Sequence, residues 1–154
     1  MKKIYTILLL IAVSTTIVSA QNSKTKKADN LYDRLAYTDA AKAYQKVLKR
    51  GTTDIYVFER LANCYYFIND TEKAEKYYKR VVKSKDANPE AIYNYAQTLK
   101  ANGKFSDYNT WMKHFAKLSP NDTRVKEFMK NPNYIPKIMG DVARYTATNM
   151  GEPI

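Results

Sequence analysis

Few side chains in this sequence have the types and spacing that enzyme chemistry needs. His114 is the only histidine and falls between Lys113 and Phe115 on the outer side of a predicted helix, so no histidine-based metal site or Ser/His/Asp set is expected. Cys64 is the only cysteine, which excludes an internal disulfide and is typical of a small buried hydrophobe. None of the four glycines lies in a phosphate-binding loop. We therefore expect no catalytic residues, no metal and no cofactor.

The balance of charge is strongly positive, with 26 Lys and Arg against 15 Asp and Glu in 154 residues. Such a balance can indicate a nucleic-acid partner. Here the cations are spread along predicted helix faces and form no cluster interleaved with aromatic residues, so nucleic acid is not expected. They indicate solvated helix charges or, as an alternative, attraction to anionic surfaces of a cell envelope.

The first twenty residues have the pattern of a secretory signal peptide. Residues 1–3 supply positive charge, residues 4–18 form an uncharged and mostly apolar run, and small residues at 18–20 provide a cleavage site. The run is shorter than the roughly 20 residues that a membrane-spanning helix needs. We expect cleavage after residue 20, export to the periplasm or outer membrane of a bacterium, and a flexible lysine-rich lead-in over 21–27.

The rest of the chain is organised around the stretch 55–88, because the stretches before and after it both align with it at the same residue offset. This offset carries Ala28 onto Ala62, and we call it the repeat spacing. Small residues then meet small ones and bulky residues meet bulky ones, without an insertion, which is the signature of a repeat architecture. The five columns are Ala28, Ala62 and Ala96; Leu31, Tyr65 and Leu99; Ala40, Ala74 and Tyr108; Tyr44, Tyr78 and Met112; and Val47, Val81 and Phe115.

Helical periodicity predicts two helices in each copy. In the first copy, Ala28, Leu31 and Leu35 fall on one face of the first helix. In the middle copy, residues 69–71 form a turn whose side chains cap the second helix. In the third copy, Pro89 stands at the first helical position, where its missing N–H has no consequence.

A final helix over 124–130 is expected to close the array. Its Val125, Phe128 and Met129 would cover the exposed face of the third copy, as the end unit of a repeat array must. Two prolines within 131–136 predict an irregular tail over 131–154.

These columns resemble the tetratricopeptide repeat (TPR), a helical hairpin of about 34 residues. The middle copy matches best, whereas the first copy has Lys27 where Leu is usual. The matching residues are Phe58, Leu61, Ala62, Tyr65, Ala74 and Tyr78. The resemblance implies an all-α, right-handed α-solenoid of about three TPR hairpins plus a short C-terminal capping helix, over 28–130.

In TPR arrays the first helices line a concave groove, chiefly through positions 2, 5, 9, 12 and 13 of each unit. Aromatic residues on such a surface are typical of protein-binding patches. An alternative is that Tyr66 and Phe67 pack against the neighbouring hairpin. The implied groove residues are Tyr32, Tyr56, Glu59, Asn63, Tyr66, Phe67, Tyr93, Gln97 and Lys100.

A second resemblance concerns the order of segments. A signal peptide, the helix with the stretch 39–44, two further units and the segment 130–137 are similar to the N-terminal portion of Gram-negative OmpA-like envelope proteins. In those proteins the TPR array is followed by a β-propeller-like region and a peptidoglycan-binding domain. The sequence shows neither domain, so peptidoglycan attachment is not carried over.

We therefore expect a non-enzymatic protein–protein interaction scaffold of the bacterial cell envelope. It would bind a segment of an envelope protein or a peptide in the concave groove, with peripheral association with the outer membrane; the oligomeric state stays open. Two alternatives remain. In the first, the chain is a truncated remnant of a larger OmpA-like envelope or secretion protein. In the second, it is a basic module that adheres electrostatically to anionic envelope surfaces.

Overall fold

The computed structural model describes residues 24–85 and 87–140, and within these residues the regular elements are all helices. The predicted signal peptide (1–20) and residues 141–154 of the predicted tail lie outside the described residues. No helix in the described part is long and apolar enough to cross a membrane. The helices are α1 (24–33), α2 (Tyr37–Lys49), α3 (Ile55–Phe67), α4 (Thr71–Val81), α5 (Pro89–Ala101), α6 (Phe105–Leu118), α7 (Thr123–Lys130) and α8 (Tyr134–Gly140).

Helices α1 to α6 form three consecutive hairpins that pack on one another through α2 against α3 and α4 against α5. The five repeat columns build the core: every member is buried except the half-buried Leu31. Alanines in these columns let neighbouring helices approach closely, while tyrosines and aliphatic residues fill the space between them. The predicted all-α solenoid of three hairpins is confirmed.

The turn inside each hairpin places one residue in the left-handed region, at positions that are one repeat spacing apart. Leu35 and Asn69 have φ 60°, and Gly103 has φ 73°. In all three turns the next amide donates back to a carbonyl of the first helix at 2.9 Å, which is the Schellman arrangement. The placement of Leu35 on the inner stripe is therefore wrong: α1 ends before it, and its side chain is 68% exposed.

We expect the substitution Leu35→Asn to stabilise the protein. Asparagine tolerates the left-handed region, as Asn69 shows at the equivalent turn, whereas a leucine there costs about 1 kcal/mol or more, and the Leu35 side chain is mostly exposed. The free energy of unfolding, measured by urea denaturation, should rise by about 0.5–1 kcal/mol. The counterpart Gly103→Ala should lower it by about 1 kcal/mol, because no atom lies near the added Cβ and only backbone strain is introduced. A lower free energy of unfolding for Leu35→Asn, or a higher one for Gly103→Ala, would contradict this account of the turns.

Helix starts follow the same repeat spacing and extend it to a fourth copy. Asp54, Asn88 and Asp122 precede α3, α5 and α7, and each side-chain oxygen accepts from a backbone amide of the first turn, at 2.9, 2.7 and 2.8 Å respectively. Carboxylate and amide oxygens satisfy the orphan amides of a helix start. Helix α7 therefore begins where the first helix of a fourth repeat would begin.

The capping role of α7 is confirmed for two of its three predicted residues. Val125 and Phe128 are buried, and the Phe128 ring meets the Tyr108 ring edge-on at 5.9 Å. Met129 is 55% exposed, so its predicted part in the cap is wrong. A short helix that packs chiefly on α6 buries only a narrow stripe, and Met129 lies beside that stripe.

The lead-in predicted to be flexible is helical from residue 24 onward. Thr25 is buried, whereas Lys24, Lys26 and Lys27 are not part of the core, with Lys24 lying at the very start of the helix. The lysine-rich composition is thus the solvent side of α1.

The tail predicted to be irregular contains α8. Pro136 is the third residue of this helix, and the first intrahelical bond runs from the Lys137 amide to the Asn133 carbonyl, at 3.0 Å. A proline in the first turn removes no helical hydrogen bond. Proline therefore permits the helix here, and the prediction of irregular structure is wrong for Tyr134–Gly140.

Candidate binding surface

Position 9 of each first helix is held by a residue of the second helix in the same hairpin. Tyr44 donates its hydroxyl to the Asp29 carboxylate at 2.5 Å, and Tyr78 donates to the Asn63 carbonyl oxygen at 2.5 Å. In the third hairpin, Gln97 donates to the Met112 sulfur at 3.7 Å. The side chain at position 9 of each first helix is therefore held in place by a side chain of the second helix.

Burial keeps the tyrosines of this arrangement neutral. Burial raises the pKa of Tyr44 well above its usual range, and the hydrogen bond to Asp29 raises it further. Burial likewise raises the pKa of Tyr78. Both phenols therefore remain hydrogen-bond donors at any physiological pH.

Tyr32, Tyr56 and Asn63 are brought together between the first two hairpins. The Asn63 amide donates to the Tyr32 hydroxyl at 3.3 Å, and the Tyr56 hydroxyl donates to Asp29 at 2.9 Å. The Arg60 guanidinium lies 4.4 Å from the Tyr32 ring centre and 5.2 Å from that of Tyr56. Such cation–π contacts hold the two rings in place.

Sequence reasoning missed Arg60, because it lies outside the groove positions carried over from TPR arrays. Its spacing offered a signal, since residues four apart on a helix are neighbours and Arg60 follows Tyr56 by four.

Phe67 and Tyr66 combine packing with exposure. The Phe67 ring lies 4.7 Å from the Tyr37 ring of the first hairpin and remains 48% exposed. Tyr66 is half-buried, with its ring 6.3 Å from that of Tyr78. The packing alternative thus holds in part for Phe67, without removing it from the surface.

Glu59 joins the middle hairpin to the third. Its carboxylate accepts from the side-chain amide of Asn88 at 2.6 Å. Because Asn88 also caps α5, this bond links the groove side of α3 to the start of the next first helix.

Arg124 fastens α7 to the third hairpin. Its guanidinium forms two parallel bonds to Glu90, at 2.9 and 2.8 Å, and bonds Asp122 at 3.0 and 2.9 Å. It also lies 4.1 Å from the centre of the Tyr93 ring. The hydrogen bonds to Asp122 and Glu90 raise the pKa of Arg124 above its already high value. The residue was not singled out from the sequence, although it follows Glu90 by one repeat spacing.

A cavity of about 640 Å³ lies between the third hairpin and the two capping helices. The predicted groove residues Tyr93, Gln97 and Lys100 form part of its wall. The others are Tyr108, Asn109, Met112, Thr123, Arg124, Glu127, Phe128, Asn131, Pro132, Tyr134 and Ile135. The predicted site thus comprises a cluster between the first two hairpins, the Glu59, Tyr66 and Phe67 side chains beside it, and the wall of this cavity.

Cys64 and His114, the side chains first considered for chemistry, lie in different environments. Cys64 is fully buried, and burial raises the pKa of its thiol to about 12, which keeps it protonated and unreactive. His114 is exposed, with its ring 5.6 Å from that of Trp111. Among the residues that the structure describes, no group of three His, Cys, Asp or Glu side chains is placed to hold a metal ion.

We expect Arg124→Ala to loosen the cap. The variant loses a bidentate ion pair and a cation–π contact, together about 1–2 kcal/mol of unfolding free energy in a partly exposed setting. Arg124→Lys should recover only part of this loss, because an ammonium group cannot form the two parallel bonds. Amide hydrogen exchange of α7 should accelerate in parallel with the drop in the urea midpoint. Lys126→Ala, at an exposed position of the same helix, is the control, and equal effects of the two alanine variants would contradict this role.

Comparison with known proteins places the fold but not the activity. No protein-family model matches the chain, and no curated protein matches its sequence. Several solved structures are similar. Yeast Tom70 shares 20% identity with a TM-score of 0.63, over 76% of this chain and 25% of Tom70. The chain therefore spans about a quarter of the length of that protein.

Two smaller structures match over most of both chains. The Yersinia enterocolitica type III secretion chaperone SycD, in complex with a peptide of the translocator YopD, shares 18% identity with a TM-score of 0.59, over 79% of this chain and 92% of SycD. The C-terminal TPR-containing domain of a Plasmodium falciparum FK506-binding protein shares 17% identity with a TM-score of 0.66, over 80% and 93%. The chain thus has the fold of TPR-containing proteins, a helical solenoid of three hairpins closed by two short helices.

Proposed function

We propose that this chain is a non-enzymatic binding scaffold of a bacterial cell envelope, which holds a segment of an envelope protein along the surface of α1, α3 and α5. The proposal rests on a row of aromatic and amide side chains. Neighbouring side chains hold them in position, and they remain partly exposed to solvent. Tyr56 is 38% exposed and Phe67 48% exposed, although both make ring or hydrogen-bond contacts.

Rigid side chains favour binding because little conformational freedom is lost when a partner arrives. Asn63 illustrates the point: Tyr78 bonds its carbonyl oxygen, while its amide reaches Tyr32. The half-buried tyrosines add large contact areas with a polar tip. Such a surface suits an extended or helical polypeptide segment.

Two further observations support the class of partner and its location. SycD, which is similar in fold, was solved with a peptide of YopD bound. The pattern of a signal peptide in residues 1–20 favours export, and hence a partner at the periplasm or outer membrane. The absence of enzyme activity is proposed from the neutral, buried Cys64 thiol and the outward-facing His114.

We expect the double variant Tyr56→Ala/Tyr66→Ala to lose its partner. Aromatic anchors carry much of the binding energy in such interfaces, so partner recovery should fall by about tenfold or more. The measurement is crosslinking of the full chain in its native envelope, followed by quantification of the captured protein and a melting curve of each variant. Tyr93 is left intact because it also supports Arg124.

Tyr77→Ala is the matched control for this experiment. Tyr77 is a half-buried tyrosine of α4, outside the candidate surface, and its ring stacks on that of Tyr65 at 5.7 Å. The control should retain the partner. Equal recovery from the wild type and the double variant would refute the groove as the binding surface.

A second candidate function, adhesion to anionic surfaces, rests on three lysines that are one repeat spacing apart. Lys49, Lys83 and Lys117 are exposed near the ends of the second helices, and none of the ion pairs among the described residues involves them. Stacked repeats place equivalent residues along one line. The lysines thus form a basic row outside the groove.

For this second function we expect binding to vesicles of anionic phospholipid that weakens steeply between about 0.05 and 0.3 M salt, because salt screens exposed charges. Cosedimentation measures it. The triple variant Lys49→Ser/Lys83→Ser/Lys117→Ser should stay in the supernatant at low salt. Failure of the wild type to sediment with the vesicles at low salt would exclude adhesion.

A further inference from the structure

The cavity beside α7 and α8 exists because the helix that would be the first helix of a fourth repeat is interrupted. Helices α3 and α5 each run for 13 residues without a break. In the same register, the fourth such helix would cover 123–135, but α7 ends at Lys130 and α8 begins only at Tyr134. Within the part of the chain that the structure describes, the surface of the third hairpin that a continuous helix would cover is therefore open between α7 and α8.

The register also makes the cavity a continuation of the groove. Tyr93, Gln97 and Lys100 at its wall are groove positions of the third copy. Glu127, Asn131 and Tyr134 on the opposite wall follow them by one repeat spacing, at the same positions of the fourth copy. A polypeptide segment lying along α3 and α5 would thus reach the cavity without leaving the row of groove residues.

Asn109 is a largely buried polar side chain in the wall of this cavity. It is only 8% exposed, and its side-chain amide makes no hydrogen bond within the described residues. All fully buried side-chain nitrogen and oxygen atoms of the described residues have a partner, so the amide atoms of Asn109 are accessible to solvent, and the residue lines the cavity. A ligand in the cavity can therefore bond this amide without displacing a hydrogen bond inside the described part of the protein. Its donor and acceptor together match a peptide group, which also offers one of each.

Lys100 gives the cavity an unbalanced positive charge. Three charged side chains line the cavity, and two of them are already paired, Arg124 with Glu90 and Glu127 with Lys130. Lys100 is exposed, its ammonium lies 5.6 Å from the Tyr108 ring centre, and none of the ion pairs in the described part of the chain involves it. An acidic group on a ligand would complement it.

We propose that this cavity is the anchor pocket for the partner segment. It takes one bulky apolar side chain against Met112, Tyr108 and Phe128, while the Asn109 carboxamide bonds the backbone of the segment. Lys100 pairs with an acidic side chain next to the anchor. A volume of about 640 Å³ accommodates such an anchor together with adjoining backbone. The inference rests on the proposed scaffold function and names the chemistry of the partner: an acidic residue beside a large apolar one.

The test selects peptides from a phage-displayed library of random dodecapeptides on the full chain, then measures the affinity of synthetic copies by fluorescence anisotropy. We expect enrichment of Asp or Glu next to Phe, Leu, Ile or Met. Asn109→Leu should weaken binding by about tenfold or more, since the peptide group is desolvated on binding and loses its hydrogen-bond partner. Leucine is close in size and apolar, and a melting curve checks that the variant is folded.

A charge exchange gives a second, independent readout at an exposed position. Lys100→Glu should weaken binding of the selected peptides by about tenfold, and replacing their acidic residue with Lys should restore it. Lys113→Glu, an exposed position of α6 outside the cavity wall, is the control and should bind like the wild type.

Two outcomes would overturn the anchor pocket. Peptides that bind Asn109→Leu and Lys100→Glu as tightly as the wild type, yet are lost with Tyr56→Ala/Tyr66→Ala, would leave the groove standing and exclude the pocket. Failure of the folded chain to enrich any peptide would contradict both the pocket and the scaffold function.

Discussion

Each hairpin of this protein can bury its apolar face only against the next hairpin, and the rest of the structure follows from that constraint. Alanines at 62, 74 and 96 are fully buried and leave room for the neighbouring helix. Tyr78 fills the space between the packed helices and still reaches Asn63 with its hydroxyl. The packing that stabilises the array therefore also sets the positions of the side chains on its surface.

The same constraint explains the C-terminal end. The third hairpin needs a cover, and α7 supplies one by entering in the register of a fourth repeat, with Asp122 as its cap and Arg124 bound to Glu90. Because the helix then breaks, the cover is incomplete. The result is a cavity at the end of the row of groove residues, with Asn109 in its wall, whose side-chain amide makes no hydrogen bond within the described residues. The interrupted helix thus both stabilises the end of the array and leaves a candidate binding site.

Much of the fold could be predicted because its causes are local and repeated. Small and large residues recur at fixed spacing, and Pro89 follows a capping residue at the start of α5. The fourth copy was missed because Lys126 and Lys130 stand where Ile92 and Ala96 stand in the third, so the apolar columns end there. Helix α8 was missed because the position of a proline within the first turn, which decides whether the proline breaks a helix, cannot be read from composition.

On the candidate surface, too, some residues could be predicted from the sequence and others could not. Groove positions such as Tyr56 and Asn63 follow from the repeat register. Arg60 matters through its contact with Tyr32 of α1 as well as with Tyr56 of its own helix, and Asn109 through an amide that makes no hydrogen bond within the described residues. Whether a cavity forms depends on the residue at which a helix ends. A sequence pattern predicts the end of a helix only to within a few residues.

The most direct test of the central claim, that one continuous row from α1 to α8 receives a polypeptide segment, is amide chemical-shift mapping of the isotope-labelled chain during titration with a selected peptide. We expect the largest changes in α1, α3, α5, the cavity side of α6 around Asn109 and the segment 123–135, with the outward faces of α2 and α4 unaffected. Changes confined to α2 and α4 would contradict it.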